Sequence, residues 1–228
     1  MKYFRTDTAI DETVKEIRRK IRLSMNGVVA DTMKERGLTN YKQNFGVQIP
    51  RLKEIASIYT PSHDLAQRLW ALKIRETMIL ATILQPIESF LEKNGKEWLN
   101  DIDNIELVEQ TCMNLFSKLR FAKAWSETLI VSDEEWAQIV GFTIILRLRE
   151  KFNAQETKQI VKRAVVLLHT ENYRLYRTIS VCLARLSRNS KEISIHILEE
   201  IIQNNRQDKI GFRYAQSEIE QEISFLDF

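Results

Sequence analysis

Residues 135–148 read EWAQIVGFTIILRL, and from Ile139 to Leu148 the segment is apolar on nearly every side of a helical projection. A helix with one apolar stripe can lie on a surface, but one that is apolar all round needs neighbours on both flanks. The run is far shorter than the roughly 20 residues that cross a bilayer. Its neighbours are therefore other helices of the chain, and it sits in the middle of a stack.

The same period extends outward in both directions. Val108, Cys112, Leu115, Phe116 and Leu119 form one helical stripe. Ile160, Ala164, Val165, Leu167 and Leu168 form another, and Leu175, Ile179, Cys182, Leu183 and Leu186 a third. Phe212, Ala215, Ile219, Ile223 and Leu226 predict a last amphipathic helix. No segment alternates with period two for long enough to be a strand. Six glycines and three prolines in 228 residues, with no proline after Pro86, leave little of the turn chemistry that β-hairpins need. Helix starts are expected at Pro50, at Ser62, and at Ser132-Asp133-Glu134-Glu135, where a hydroxyl would cap and carboxylates would face the helix dipole. Asn172 and Asn189 suit loop or cap positions.

The apolar helix centres recur. Leu80, Cys112, Ile144 and Cys182 are 32, 32 and 38 residues apart, the length of two helices and two turns. The expected fold is thus all-α, a superhelical stack of helical repeats forming a single domain over residues 1–228, with an irregular helical bundle as the alternative.

Composition limits the function. With 44% hydrophobic and 29% charged residues the chain has the make-up of an ordinary soluble protein. The opening MKYFRTDTAIDE has no apolar core of a secretory signal, so a cytoplasmic location and no membrane association are expected. Cys112 and Cys182 lie within apolar helical patterns, as buried thiols do in a reducing compartment. His63, His169 and His196 show no triad or metal-ligand spacing, so neither a metal nor a cofactor is expected.

Net charge is only +3, but it is uneven: Lys118 to Lys191 holds 14 Lys or Arg against 7 Asp or Glu. Lys158 and Lys162 are four apart and Arg174 and Arg177 three apart, each pair on one helix face; Arg185, Arg188 and Lys191 follow. On the inner helices of a solenoid such cations would form a track for phosphates. They could equally be the solvated faces of amphipathic helices. The cluster Arg18-Arg19-Lys20-Ile21-Arg22 reads as a solvated face.

Two further stretches resemble a known family. NYKQNFGVQIPRLKEIA (40–56) is similar to the N-terminal signature of the AlkD-like DNA alkylation repair proteins, and LAQRLWALKIRETMILATIL (65–84) to the helix pair that follows it. SDEEWAQIVGFTIILRL (132–148) and RLYRTISVCLARLSRNSKE (174–192) fit the later repeats more loosely. The resemblance implies a C-shaped stack of HEAT-like repeats whose basic concave groove holds duplex DNA, alkylated duplex included. Its members are glycosylases that excise alkylated purines. They use a carboxylate to stabilise the developing sugar cation, tryptophans to cradle the lesion and an arginine to grip phosphate.

The chain departs from that catalytic pattern. In Ala124-Trp125-Ser126-Glu127-Thr128-Leu129, Trp125 matches the second tryptophan, Ser126 replaces an aspartate and Leu129 stands where the catalytic carboxylate belongs. Glu127 is two residues away, about 200° round a helix. Trp136-Ala137-Gln138-Ile139 lacks the phosphate-gripping arginine, and the second active-site tryptophan falls near Val181. The expected function is DNA binding with excision reduced or lost, through Arg120, Lys123, Trp125, Lys158, Lys162, Arg174, Arg177, Arg185 and Arg188. Trp125 could instead fill the core. Two alternatives stand beside it: an active glycosylase with a displaced acid, for which Glu127, Asp133 and Glu134 are the candidates, and a protein–protein scaffold.

Overall fold

Short polar side chains set most helix starts. Asp7, Asn26, Ser62, Asn104, Asn153, Asn172 and Ser190 each accept a backbone N–H from the first turn of a helix. Asn153 and Glu156 cap reciprocally. The computed structural model describes residues 4–205 and 207–226, which contain thirteen α-helices, three 3₁₀ turns and no strand. They form two units, Met1–Leu119 and Arg120–Phe228.

The first unit holds α1 (Thr8–Leu23), α2 (Gly27–Glu35), α3 (Ile49–Ala56), α4 (His63–Ala71), α5 (Arg75–Leu84), α6 (Glu92–Leu99) and α7 (Ile105–Asn114), followed by the 3₁₀ turn Phe116–Lys118. The second holds α8 (Ala122–Ile130), α9 (Glu135–Arg147), α10 (Ala154–Leu167), α11 (Tyr173–Leu186), α12 (Lys191–Asn204) and α13 (Ile210–Ile223). The 3₁₀ turns Arg149–Lys151 and Ser187–Asn189 follow α9 and α11.

Two local expectations need correction. Ser132 does not cap α9. The helix begins after Glu134, whose N–H is bound by the Ser132 hydroxyl at 3.1 Å, so the serine closes the preceding turn instead. The last helix stops at Ile223, and Leu226 belongs to a turn beyond it.

Within the second unit, α9 packs between α8 and α11, and α11 between α9 and α13. Nearly all of α9 is buried, from Ala137 to Ile145, as its all-round apolar sequence demands. Helices α8, α10 and α12 form the other row. The four apolar centres read from the sequence fall on α5, α7, α9 and α11, the second helix of successive pairs. The repeat is also written in the polar ties between pairs. Trp70 Nε1 donates to Asp101 Oδ2 at 2.7 Å and Trp98 Nε1 to Gln67 Oε1 at 3.2 Å, each across 31 residues, while the two indoles stack at 3.9 Å. Lys123 Nζ reaches both Glu156 oxygens across 33 residues, and Lys158 Nζ reaches Glu192 Oε1 across 34.

The first unit turns on one buried knot. Arg75 and Glu76, both fully buried, open α5. Glu76 Oε1 accepts the N–H groups of Phe45 and Val47 at 3.1 and 3.2 Å. Arg75 donates to the Val47 carbonyl at 2.8 Å, to Glu76 at 3.0 Å and, through Nε and Nη2, to Glu106 on α7 at 2.8 and 2.6 Å. Burial opposes the charge on Arg75, but the bonds and fields of Glu106 and Glu76 outweigh it and raise its pKa. Tyr41 closes the knot by donating to Asn104 or Glu106, and burial pushes its phenol pKa up. Gly46, at φ +69°, lies where a Cβ would stand 2.1 Å from the Asn26 carbonyl oxygen, so only glycine allows the loop to pass beneath α2.

Replacing Arg75 with methionine leaves two carboxylates without their cation and is expected to cost about 3–5 kcal/mol in urea unfolding. A loss below about 1 kcal/mol would contradict this role. The ties in the second unit have a pH signature. Lys123 holds Glu156, and Lys158 holds Glu192, below the ordinary carboxylate pKa. A depressed folded pKa gives stability that is complete above the ordinary range and lost as pH falls through the folded value. The Tm of Glu156→Gln should therefore lie below wild type at neutral pH, and the two should converge in acid; a gap that persists there would contradict the ion-pair account.

Candidate nucleic-acid interface

Helix α8 carries Trp125, Ser126 and Leu129, the positions that the sequence resemblance singles out. Its buried residues are Ala122, Trp125, Ser126, Leu129 and Ile130, one helical stripe facing the core. Trp125 is only 4% exposed and meets Phe121 edge-on at 5.7 Å. It packs inside the unit and presents almost no ring to solvent. The Ser126 hydroxyl donates to the Lys123 carbonyl at 2.7 Å and so satisfies itself within the helix.

Leu129 sits at the crossing of α8 and α9. A Cβ built on Gly141 would meet Leu129 Cβ at 2.9 Å and Ile130 Cγ2 at 2.8 Å, so the glycine is what lets the two helices approach. A carboxylate at position 129 would enter this apolar crossing, where an unpaired charge is costly. Glu127 lies off the buried stripe and is partly exposed. Asp133 and Glu134 are exposed in the turn that precedes α9. None of the three acids is on the face that holds Trp125 and Leu129.

The basic residues fall on both helix rows. Lys123 on α8, and Lys158 and Lys162 on α10, belong to one; Arg174, Arg177 and Arg185 on α11 belong to the other. Several are already engaged. Besides its bond to Glu156, Lys123 lies 5.1 Å from the centre of the Phe152 ring. Arg185 and Arg188 both donate to Glu222 Oε1 on α13. Arg177 bonds to Tyr214, whose pKa is raised chiefly by burial. Arg120, Lys162 and Arg174 are exposed and form no ion pair among the described residues.

Three features of the surface and core have little signal in the sequence. A cleft of about 300 Å³ lies against Trp70 and Trp98, rimmed by Lys73, Glu97 and Asp101. Lys73 adopts φ +57° and pairs with Asp101. A second, polar cleft of about 390 Å³ lies between the 3₁₀ turns Arg149–Lys151 and Ser187–Asn189. The third is the Arg75 knot, whose one signal is an Arg-Glu pair opening an apolar helix. Among the described residues no group of three or more His, Cys, Asp or Glu is arranged to hold a metal. No helix there is long and apolar enough to cross a membrane.

Comparison with known proteins places this geometry. No curated protein sequence matches the chain significantly. A solved structure described as "a new family of proteins related to the HEAT-like repeat DNA glycosylases with affinity for branched DNA structures" superposes with a TM-score of 0.78 at 16% identity, over 92% of this chain and 93% of that one. The likeness establishes the HEAT-like repeat fold. The family profile described as DNA alkylation repair enzyme matches residues 15–219. The chain, with its helix pairs stacked at a spacing in the thirties and its Phe-Gly-Val loop locked to an Arg-Glu pair, belongs to the DNA alkylation repair enzyme family.

Proposed function

We propose that this protein binds DNA through the phosphate backbone and does not excise alkylated bases. The observation that carries the second half is the seat of Leu129. The position that takes the catalytic acid in the resembling glycosylases is here a closed apolar crossing between α8 and α9. Loss of that carboxylate removes the group that stabilises the sugar cation, worth on the order of a hundredfold or more in rate. The partly exposed Glu127 and the exposed Asp133 lie off this face and supply no substitute.

DNA binding is supported by the family and by the cation surplus of the second unit. Lys162 and Arg174, exposed and outside any ion pair among the described residues, are the leading phosphate ligands; Lys158 and Arg177 lie on the same two helices, and Arg120, likewise exposed and unpaired, precedes α8. Lys123, Arg185 and Arg188 would have to exchange a carboxylate for a phosphate, and Trp125 would act from behind the surface. The related protein described by its affinity for branched DNA makes junctions, beside plain duplex, the ligands to try.

Affinity for a fluorescent duplex or three-way junction should fall steeply as salt rises from about 50 to 200 mM. The Lys162→Gln/Arg174→Gln variant should flatten the log–log slope by about one for each phosphate that is no longer neutralised. Binding indifferent to salt would overturn the backbone reading. Leu129→Asp should restore no release of methylated purines and should destabilise the fold by about 3 kcal/mol or more. A stable variant that gains release would show that position 129 is an open site.

A further inference from the structure

The cleft between the two 3₁₀ turns of the second unit has the chemistry of a phosphate seat. Its walls are Arg149, Glu150, Phe152, Arg188 and Asn189. The Asn189 side-chain amide donates to the Arg149 carbonyl at 3.1 Å and ties the two turns together. Arg149 donates through Nη2 to Glu150 at 2.7 Å, while its Nε is buried without an acceptor. Leaving a donor of a charged group unpaired in that way costs stability. On the opposite wall Arg188 shares a single Glu222 oxygen with Arg185.

Three guanidiniums therefore meet two carboxylates. The Glu150 side chain is 78% exposed and can leave Arg149 with little change in its own burial. Glu222 cannot neutralise two arginines at once. Lys151, exposed on the same turn, adds to the positive excess. Planar guanidinium forks suit a tetrahedral oxyanion because two N–H groups can meet two of its oxygens. The volume of about 390 Å³ leaves room for a phosphate with its two ester links.

We propose that this cleft is a subsite for a backbone phosphodiester of a DNA strand, gripped by Arg149 and Arg188 at the turns that end α9 and α11. The proposal rests on the DNA-binding reading above but uses different residues from its leading phosphate ligands, Lys162 and Arg174. It gives the protein a second place to hold phosphate, as a ligand with more than one duplex arm would require.

The test uses the full chain and its Arg149→Gln/Arg188→Gln variant, with a labelled three-way junction as probe. Thermal unfolding verifies that the variant folds, and Arg149→Lys/Arg188→Lys provides a charge-conserving second variant. The glutamine pair is expected to lower the salt slope by about one and weaken binding severalfold at low salt, with the lysine pair recovering part of that affinity. An unchanged slope and affinity in a folded glutamine variant would overturn the subsite. If wild type itself fails to bind the junction or duplex, the DNA-binding reading is what fails. A ¹⁵N-edited spectrum separates the sources of phosphate: the Arg149 Nε–H resonance should shift with the junction. A shift of the same size with an equal concentration of inorganic phosphate would make the cleft a free-anion site and overturn the proposal.

Discussion

One buried guanidinium organises the first unit. Arg75 joins the loop Phe45–Val47, its own helix α5 and the next pair's α7 through bonds to Val47, Glu76 and Glu106. A fully buried charge is tolerated only when its partners are complete, and here every partner lies on a different part of the chain. The knot therefore fixes register: the loop cannot slide without breaking bonds to Glu76, and α7 cannot shift without freeing Glu106. It also explains why Phe-Gly-Val and Arg-Glu occur together in the sequence. They are two halves of one structure.

Elsewhere the repeat is held by apolar rows with polar ties at their margins. Helix α9, buried on all sides between α8 and α11, supplies the core of the second unit, and Gly141 sets how closely α8 approaches. That approach has a functional consequence. With Leu129 filling the crossing, α8 seats tightly on α9 and has no place on that stripe for a solvent-reachable acid. The packing of the unit and the proposed loss of excision come from the same side chain.

Much of the fold was legible from periodicity. The stripes at 108–119, 160–168 and 175–186 mark α7, α10 and α11, and the spacing of Leu80, Cys112, Ile144 and Cys182, on α5, α7, α9 and α11, is the spacing of helix pairs. The departures had local causes. Ser132 looked like a cap but binds the N–H of Glu134 one residue before the helix. Side-chain direction was harder to read than element type. Trp125, equally compatible with a core or a site, is buried because its neighbours at i+1, i+4 and i+5 are all on the inner stripe. The cations looked like one track, yet α10 and α11 belong to different rows, a separation that linear charge counting does not contain. The Arg149–Arg188 cleft was invisible for a related reason: its walls are 39 residues apart and meet only when consecutive turns stack.

The proposal joins the family scaffold to DNA binding without excision, so the decisive measurement reads occupancy and chemistry in one vessel. Protein in excess over a methylated duplex, at low salt, would be followed by anisotropy for binding and by chromatography for freed 3-methyladenine and 7-methylguanine. The expected result is nearly all DNA bound, with base release no faster than in buffer. Release that rises in proportion to the bound fraction would contradict it.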